Sequence, residues 1–315
     1  MKKIESVLVA GAGAIGLMLA GKLYGAIPEK LLVLAEGERL ERYRRDGFFI
    51  NDKKFDFSLS GDASPSAVDL VIIASKYYSL NEVIGDIRPF IGPDTVIISL
   101  LNGISSEDVI GAKYGRERLP LSMVMGTDAQ HNGNRVNYSR IGVINFGDAD
   151  GIVCERDERI AEFFTRTAYP AEYHKTDMKR ALWYKFMINT GANQTSALLR
   201  LPYAAFKRKS PRRIPEAQIL LEKAMREVID VSNACGIGLD DNDIESFFVM
   251  LEDLNDDGFT SMCQDILAGR KTEIELFGPE ICRLGREHGI RTPVNEMLAL
   301  AVGALEKRAF MKYRE

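Results

Sequence analysis

Residues 7–16 read VLVAGAGAIG, an apolar run that passes directly into the pattern G-x-G-x-x-G. The run Ile4–Ala10 is typical of a buried strand, and Ala14–Leu23 carries apolar residues at helical spacing. A strand, a glycine-rich turn and a helix in this order hold a dinucleotide pyrophosphate at the helix N-terminus, whereas a glycine-rich turn alone occurs in other α/β domains. The residues predicted to bind a dinucleotide cofactor are Gly11, Ala12, Gly13, Ala14, Ile15 and Gly16.

Each glycine of the pattern has its own predicted role. Gly11 permits a tight turn, Gly13 lets the backbone approach the phosphates, and Gly16 lets the helix pack close to the strand. A second apolar run, Leu31–Ala35, ends at Glu36, twenty residues after Gly16. An acidic residue at this spacing binds the ribose hydroxyls of a dinucleotide, so we expect Glu36 to contact the cofactor; a solvated Glu36 is the alternative.

Composition places the chain among ordinary globular proteins of two domains. Its 315 residues are 46% hydrophobic and 27% charged, and basic and acidic residues are interleaved at a net charge of −4. This pattern argues against a nucleic-acid-binding surface, and no apolar run reaches the ~18 residues of a membrane span. The four cysteines show no C-x-x-C spacing and the three histidines no metal-ligand pattern. We therefore expect a cytoplasmic protein without a disulfide framework or a metal site.

Up to about residue 147, short apolar runs alternate with helical or loop segments. Val68–Ala74 and Thr95–Leu101 are rich in β-branched residues, as expected of strands covered on both faces. Leu119–Met125 and Arg135–Phe146 are typical of further strands, and Asn132-Gly133 between them indicates a hairpin turn. The alternation predicts an α/β domain with a doubly wound parallel sheet and extra strands at its C-terminal side.

After about residue 175, helical patterns dominate. They cover Lys179–Leu199, Pro215–Ala234, Asp240–Leu251, Thr272–His288 and Val294–Phe310. We therefore predict a dinucleotide-binding domain over residues 1–175 and a helical domain over residues 176–315, with the substrate bound in a cleft between them.

One predicted helix carries a polar stripe on an otherwise apolar or small surface. The stripe consists of Lys185, Asn189, Asn193 and Ser196, whose spacing places them within ~80° around the helix. Asparagine is a poor helix former, so a binding site would explain its use here; a wet face or a hydrogen-bonded seam between helices would also explain it. Reduction of a ketone needs an acid at the developing oxyanion, and a partly desolvated Lys185 is suited to this role. A nearby carboxylate would orient the ammonium, and Glu273 is one of many candidates.

Five segments of the chain carry motifs of one known family. They are GAGAIG at 11–16, Ser75-Lys76, Leu101-Asn102-Gly103, LWYKFMINTGANQTSAL at 182–198 and TSMCQDILAGRKTEIELFGPEI at 260–281. Together they make the chain similar, along essentially its whole length, to the ketopantoate reductase (2-dehydropantoate 2-reductase) family. The last two segments are the most specific, because long runs of the family's pattern are matched in order.

The resemblance implies a fold and a reaction. The family's fold is a Rossmann-type domain followed by an all-helical domain like that at the C-terminus of 6-phosphogluconate dehydrogenase. Its members reduce 2-dehydropantoate to (R)-pantoate by hydride transfer from a nicotinamide cofactor, a step of pantothenate and coenzyme A biosynthesis.

The resemblance also implies roles for individual residues. Lys185 is the implied general acid, and Glu273 is the acidic residue that supports it. The implied substrate-binding residues are Asn102, Asn189, Asn193 and Ser261. Lys76 and Asn102 are placed between the nicotinamide and the substrate.

Two positions depart from the family pattern. Gln194 stands where the family has proline, which leaves the helix geometry beyond this point open. After the second strand the chain reads Ala35-Glu36-Gly37-Glu38-Arg39, where the family reads A-R-G-x-R with its first arginine on the 2′-phosphate of NADP. The family thus implies NADP(H), whereas the Glu36 carboxylate suits NAD(H); Arg39 and Arg42 are alternative partners for a 2′-phosphate.

Two other functions stay open on the sequence alone. An NAD-dependent D-2-hydroxyacid dehydrogenase of the same fold, acting on another bulky 2-keto acid, would use the same lysine, asparagines and glutamate. A non-catalytic, nucleotide-sensing protein would need the glycine pattern but not Lys185 with Glu273. The expected partner is a small-molecule 2-keto acid, and the sequence leaves open whether the chain forms a homodimer.

Overall fold

In the computed structural model, which describes residues 2–62 and 64–310, the chain divides between Lys179 and Arg180 into two units. The strands of the first unit are β1 (Val7–Ala10), β2 (Leu31–Val33), β3 (Phe48–Ile50), β4 (Lys53–Phe55), β5 (Ser58–Leu59), β6 (Leu70–Ile73), β7 (Val96–Ser99), β8 (Leu121–Thr127), β9 (Gln130–Asn132), β10 (Arg135–Asn137), β11 (Ile141–Gly147) and β12 (Ala171–Tyr173). Its helices are α1 (Ala14–Tyr24), α2 (Gly37–Asp46), α3 (Leu80–Asp86), α4 (Ser106–Tyr114) and α5 (Glu155–Arg166).

The main sheet of the first unit has five parallel strands in the order β5-β2-β1-β6-β7. From β1 the chain builds outward on one side through β2 and β5, and then on the other side through β6 and β7. The order in which strands are added therefore reverses between β1 and β6, which makes this pair the topological switch point of the sheet. Sheets of this kind bind their ligands beside the switch point, at the carboxyl ends of the strands. The predicted parallel sheet is confirmed.

Strand β1 is apolar along its whole length because both faces of the sheet are covered. Val7 and Val9 belong to one buried cluster, and Leu8 and Ala10 belong to a second. Consecutive side chains of a strand point to opposite faces, so these clusters lie on the two sides of the sheet. Helix α1 contributes to the first cluster, and α3 and α4 contribute to the second, which is the doubly wound arrangement.

The remaining strands form two separate sheets, in the orders β4-β3-β10-β9 and β12-β11-β8, rather than extending the main one. Strands β9 and β10 form an antiparallel hairpin at the predicted Asn132-Gly133 turn. The prediction of one strand over Arg135–Phe146 is wrong, since the segment is divided into β10 and β11. The cause is Asp128, whose carboxylate accepts hydrogen bonds from the backbone N–H groups of Ser139 (2.9 Å) and Arg140 (2.8 Å) and so holds a turn there.

The second unit is built from helices over its described length. They are α6, which begins at the end of the first unit (Met178–Leu199), α7 (Pro215–Ala234), α8 (Asp241–Glu252), α9 (Ser261–Leu267), α10 (Gly278–His288) and α11 (Pro293–Phe310). The predicted bounds of α6, α7, α8 and α11 are confirmed to within one residue. Across residues 2–62 and 64–310, no helix combines the length and apolarity that crossing a membrane requires.

The predicted helix Thr272–His288 is wrong over its first six residues. Helix α10 begins only at Gly278, because the backbone of Phe277 (φ −118°, ψ −93°) is not helical and Pro279 has no N–H to continue a helix from upstream. The segment before it contains a short 3₁₀ helix, Ile274–Leu276.

A carboxylate from α7 caps the N-terminus of α11. Glu227 accepts hydrogen bonds from the backbone N–H groups of Val294 (2.8 Å) and Asn295 (2.9 Å), and from Nδ2 of Asn295 (2.8 Å). Glu227 is buried, and an anion at this helix end is also favoured by the helix dipole. The side chain of Gln194 donates to Oδ1 of the same Asn295, so α6, α7 and α11 are joined by one polar network.

Removal of this cap tests its energetic importance. In Glu227→Ala, the buried N–H of Asn295 and the half-buried N–H of Val294 lose their acceptor, and the side-chain amide of Asn295 loses one of its two, so we expect the free energy of unfolding to fall by about 2–4 kcal/mol. Urea unfolding measures the change. Asp230→Ala, an exposed position on the same helix, is the control and is expected to change stability by less than about 0.5 kcal/mol. Equal losses in the two variants would contradict the capping role.

Candidate active site

The glycine-rich turn after β1 brings three backbone segments together. Gly11 has a φ of +120°, which glycine adopts without strain, and a Cβ there would lie 2.6 Å from backbone atoms of Ala74 and Ser75. A Cβ at Gly16 would lie 1.7 Å from the carbonyl oxygen of Gly11, so only glycine lets α1 approach β1 this closely. A Cβ at Gly13 would meet no described atom within 4 Å, and this side of the turn is therefore open to a ligand.

The same turn offers the N-terminus of α1 to an anion. Gly13 occupies the N-cap position, no side chain within residues 2–62 and 64–310 caps the helix there, and the first turn, formed by Ala14, Ile15 and Gly16, contains no acidic residue. The first N–H groups of a helix have no acceptor within it, and with the helix dipole they favour a negative charge. These features fit a dinucleotide pyrophosphate; the assignment of residues 11–16 as cofactor ligands stays a prediction.

Lys76 and Asn102 follow neighbouring parallel strands at the same edge of the sheet. Lys76 comes three residues after β6, and Asn102 comes three residues after β7; both are half-buried. Ser75, beside Lys76, has a buried hydroxyl without a hydrogen-bond partner among the described residues. A buried, unpaired hydroxyl is costly, which makes Ser75 a further candidate for contact with a ligand. Ser75 belongs to the Ser75-Lys76 motif, but the motif alone predicts no role for its hydroxyl.

The turn that carries Asn102 rests on a buried polar network. Glu107 of α4 accepts hydrogen bonds from the hydroxyl of Ser106 (2.7 Å) and from the backbone N–H of Ser122 (3.1 Å). The Ser106 hydroxyl also lies 2.8 Å from the hydroxyl of Ser99, at the end of β7. Burial raises the pKa of the Glu107 carboxyl. The network joins β7, α4 and β8, and so fixes both ends of the turn.

Glu36 is exposed at the N-cap position of α2, just beyond the end of β2. The preceding residue is held in place by Ser60, whose hydroxyl accepts from the N–H of Ala35 (2.9 Å) and donates to its carbonyl oxygen (3.1 Å). The carboxylate of Glu36 is thus presented to solvent from a backbone that is fixed at the sheet edge.

Arg39 and Arg42, the two alternative partners for a 2′-phosphate, each contact a side chain of the first unit. Arg39 forms an ion pair with Glu82, and the guanidinium of Arg42 lies 5.2 Å from the ring centre of Tyr43. The ion pair is exposed, and such pairs contribute only about 0–1 kcal/mol.

Helix α6 places Lys185, Asn189 and Asn193 on one face, one turn apart. Lys185 and Asn189 are half-buried, and Asn193 is buried. Ser196, the fourth residue of the predicted stripe, instead donates its hydroxyl to the carbonyl oxygen of Leu201 (2.8 Å) and closes the end of the helix. The polar stripe therefore consists of a lysine and two amides, followed by a structural serine.

Gln194 lets α6 continue unbroken to Leu199. Its Nε2 donates to the carbonyl oxygen of Thr190 (2.7 Å) and to Oδ1 of Asn295 (3.0 Å). Gly278 makes room for this side chain, since a Cβ there would lie 2.3 Å from Oε1 of Gln194. The departure from proline is thus matched by specific partners, and the helix geometry beyond Gln194 is regular.

Ser261 and Glu273 lie on either side of one loop of the second unit. Ser261 is the exposed first residue of α9, a seven-residue helix that sequence periodicity did not predict. Its N-cap is Thr260, whose hydroxyl accepts the N–H of Cys263 (3.3 Å). Glu273 is 9% exposed and directly precedes the 3₁₀ helix, instead of opening an α-helix as expected.

A cluster of possible metal ligands lies elsewhere in the first unit. Oxygen or sulfur atoms of Asp148, Cys154 and Asp157 lie within 4.8 Å of one another. Arg156 donates to both carboxylates, at 3.1 Å to Asp148 and 2.6 Å to Asp157, so a guanidinium already occupies the position of a cation between them. We do not count it as a functional site.

The predicted site residues fall into two groups. The first unit carries the glycine turn, Glu36, Lys76 and Asn102, and the second carries Lys185, Asn189, Asn193, Ser261 and Glu273. Within each unit they lie on elements that fix their backbone, which is the preorganisation that catalysis needs. Their individual roles stay predictions.

Comparisons with known proteins bear on both units. Residues 7–151 match the family described as ketopantoate reductase PanE/ApbA, and residues 177–306 match the C-terminal part of that family. A 2-dehydropantoate 2-reductase of Aquifex aeolicus is 27% identical over 249 residues, which are 77% of this chain and 78% of its own.

Two solved structures share the fold. A dimeric ketopantoate reductase from Staphylococcus aureus gives a TM-score of 0.80 at 22% identity, covering 96% of this chain and 99% of its own. A D-mandelate dehydrogenase in a ternary structure with NADH and anilino(oxo)acetate gives a TM-score of 0.84 at 23% identity, covering 98% of this chain and 100% of its own. The family matches span most of both units, and the chain therefore belongs to the ketopantoate reductase family.

Proposed function

We propose that this protein reduces 2-dehydropantoate to (R)-pantoate with a nicotinamide cofactor. The observation that carries the proposal is the face of α6, where Lys185, Asn189 and Asn193 line up in a unit that also buries Glu273. The glycine turn of the first unit supports it, because its close backbone packing and its open side at Gly13 fit a dinucleotide. Membership of the family gives the substrate class.

In the proposed mechanism, the protein binds and orients the keto acid and supplies a proton. A reduced nicotinamide, when bound, supplies the hydride. Lys185 donates a proton to the ketone oxygen as negative charge develops there, and Glu273 orients the ammonium group. The amides of Asn189 and Asn193, with the hydroxyl of Ser261, hold the substrate carboxylate and hydroxyl, since an amide both donates and accepts. Lys76 and Asn102, at the edge of the sheet, lie between the nicotinamide and the substrate in this mechanism and contact both.

We further propose that the cofactor is NAD(H) rather than the NADP(H) that the family implies. Glu36 is exposed at the strand end where a carboxylate accepts hydrogen bonds from the ribose hydroxyls, and its charge repels a 2′-phosphate. The exposed ion pair of Arg39 with Glu82 is too weak to exclude Arg39 as a partner for a 2′-phosphate, so the proposal rests on Glu36.

A D-2-hydroxyacid dehydrogenase acting on another bulky 2-keto acid is the second candidate. The feature that favours it is Glu36, because an NAD-type strand end departs from the family pattern on which the ketopantoate assignment rests. Both candidates use the same catalytic residues and differ in the side chain of the keto acid.

We also propose that the chain forms a homodimer, as the Staphylococcus aureus protein does. Analytical ultracentrifugation of the purified chain distinguishes a mass near 70 kDa from the 35.1 kDa of the single chain, the former being about twice the latter.

The first experiment is the reduction of ketopantoate by the purified protein, with NADH and NADPH assayed in parallel. Efficient turnover with either cofactor supports the reductase assignment, and we expect the higher kcat/KM with NADH. Turnover of an aryl or branched 2-keto acid but not of ketopantoate would favour the dehydrogenase instead. Tight nucleotide binding without reduction of any 2-keto acid would identify a non-catalytic sensor.

Lys185→Ala tests the general acid. We expect kcat to fall by about 10²-fold or more, because the proton donor is lost, while the dissociation constant of the cofactor stays nearly unchanged. Stopped-flow turnover and fluorescence titration measure the two quantities. Lys179→Ala, exposed on the first turn of α6, is the matched control. A parallel loss of turnover and cofactor binding would make Lys185 a structural residue.

Glu36→Arg tests the cofactor preference. The new guanidinium is able to pair with a 2′-phosphate, so the ratio of kcat/KM for NADPH to that for NADH is expected to rise by about tenfold or more. The control is Glu38→Arg, which makes the same charge change two residues away at another exposed position. An unchanged ratio in Glu36→Arg would show that Glu36 faces only water.

A further inference from the structure

Helix α11 presents one buried face to the rest of the second unit. Asn295, Leu298 and Val302 lie on this face and are fully buried. Glu306 follows Asn295 by eleven residues, which places it about 20° away around the helix and so on the same face. Glu306 is half-buried, and a carboxylate that is partly removed from water is stabilised by a defined hydrogen-bond partner.

The partner of Glu306 is the turn that leads into Glu273. Oε2 of Glu306 accepts hydrogen bonds from both the backbone N–H of Thr272 (2.7 Å) and its hydroxyl (2.5 Å). The Thr272 hydroxyl in turn accepts the N–H of Ile274 (3.3 Å). Thr272 is 1% exposed and Glu306 is half-buried, so these bonds are partly shielded from water. The backbone is therefore held on both sides of Glu273.

The other end of the same loop is held separately. The backbone N–H of Arg270 donates to the carbonyl oxygen of Asp265 (2.8 Å), and its Nε donates to the Asp265 carboxylate (2.8 Å). The loop from α9 to Glu273 is thus fixed at Arg270 by a local contact and at Thr272 by a helix more than thirty residues further along the chain.

We infer that Glu306 and Thr272 are positioning residues that set the place of the Glu273 carboxylate. The inference rests on the proposed function, in which Glu273 orients the ammonium of Lys185. Glu306 itself touches neither the reacting atoms nor the cofactor in this account; it acts through the backbone of Thr272. A shift of a catalytic group by about 1 Å can cost 10²-fold in rate, so loss of this clamp has a kinetic consequence as well as a structural one.

Two variants of Glu306 separate the effect of its hydrogen bonds to Thr272 from the effect of its negative charge. In Glu306→Ala both hydrogen bonds to Thr272 are lost, and we expect kcat for ketopantoate reduction to fall by about 10- to 100-fold, with KM and the NADH dissociation constant changed less than about threefold. In Glu306→Gln the amide oxygen still accepts both bonds, and kcat is expected to stay within about threefold of the wild type. Amide hydrogen exchange over residues 270–276 is expected to accelerate in the alanine variant alone.

A second pair of variants covers the case in which Glu306→Ala fails to fold. Thr272→Val keeps the size of the side chain but removes the hydroxyl that donates to Glu306, and we expect kcat to fall. Thr272→Ser keeps that hydroxyl, and we expect kcat to stay near the wild-type value. Glu296→Ala, exposed on the same helix, is the control for changes of α11 alone.

The outcomes separate the inference from the function on which it rests. A wild-type protein that reduces no 2-keto acid would overturn both. If the wild type is active and Lys185→Ala and Glu273→Gln are impaired, unchanged kcat in Glu306→Ala overturns the positioning role alone. Equal losses in the alanine and glutamine variants would also overturn it, because charge and not the position of the bonds would then be the cause.

Discussion

The first unit depends on one steric constraint, the contact of backbone with backbone at the end of β1. Gly11 packs against the backbone of Ala74, and Gly16 packs against the carbonyl oxygen of Gly11. Both contacts are so close that a Cβ on either glycine would clash. This contact brings the start of α1 and the end of β6 to the same point of the sheet. As a consequence, the helix N-terminus, Ser75 and Lys76 share one edge of the sheet, and the site that we propose for the cofactor depends on how closely the backbone packs there.

In the second unit the corresponding constraint is polar. Buried amides and carboxylates on different helices are joined by hydrogen bonds, as in the network of Gln194, Asn295 and Glu227. A buried polar group without its partner costs about 1–3 kcal/mol, so such networks specify one arrangement of the helices. Gln194 of this network lies on α6, which runs without a break from Met178 to Leu199 and carries the face proposed to bind the substrate.

The sequence predicts elements whose structure is set by neighbouring residues. It does not predict features that depend on a contact with a residue far along the chain. The glycine pattern and the long helices were predictable, because each is specified within a few turns or residues of chain. The break between β10 and β11 was not, since it depends on Asp128 accepting from residues eleven and twelve positions later. Helix α9 is too short for periodicity to indicate, and the partner of Thr272 lies 34 residues away. The proposed site residues come from motifs in the sequence, whereas the residues that support their backbone required the structure.

The two departures from the family pattern have different physical meanings. Gln194 is buried and donates to two acceptors inside the unit, and Gly278 leaves the space that its side chain occupies. That change is accounted for by packing and hydrogen bonding. Glu36 is exposed at the N-cap of α2, just beyond the strand end, on a backbone that Ser60 fixes. The helix dipole favours a carboxylate at this position, and no buried contact within the described part of the chain constrains the side chain. We propose that Glu36 faces the ribose of the cofactor, and for this reason Glu36 rather than Gln194 bears on the cofactor preference.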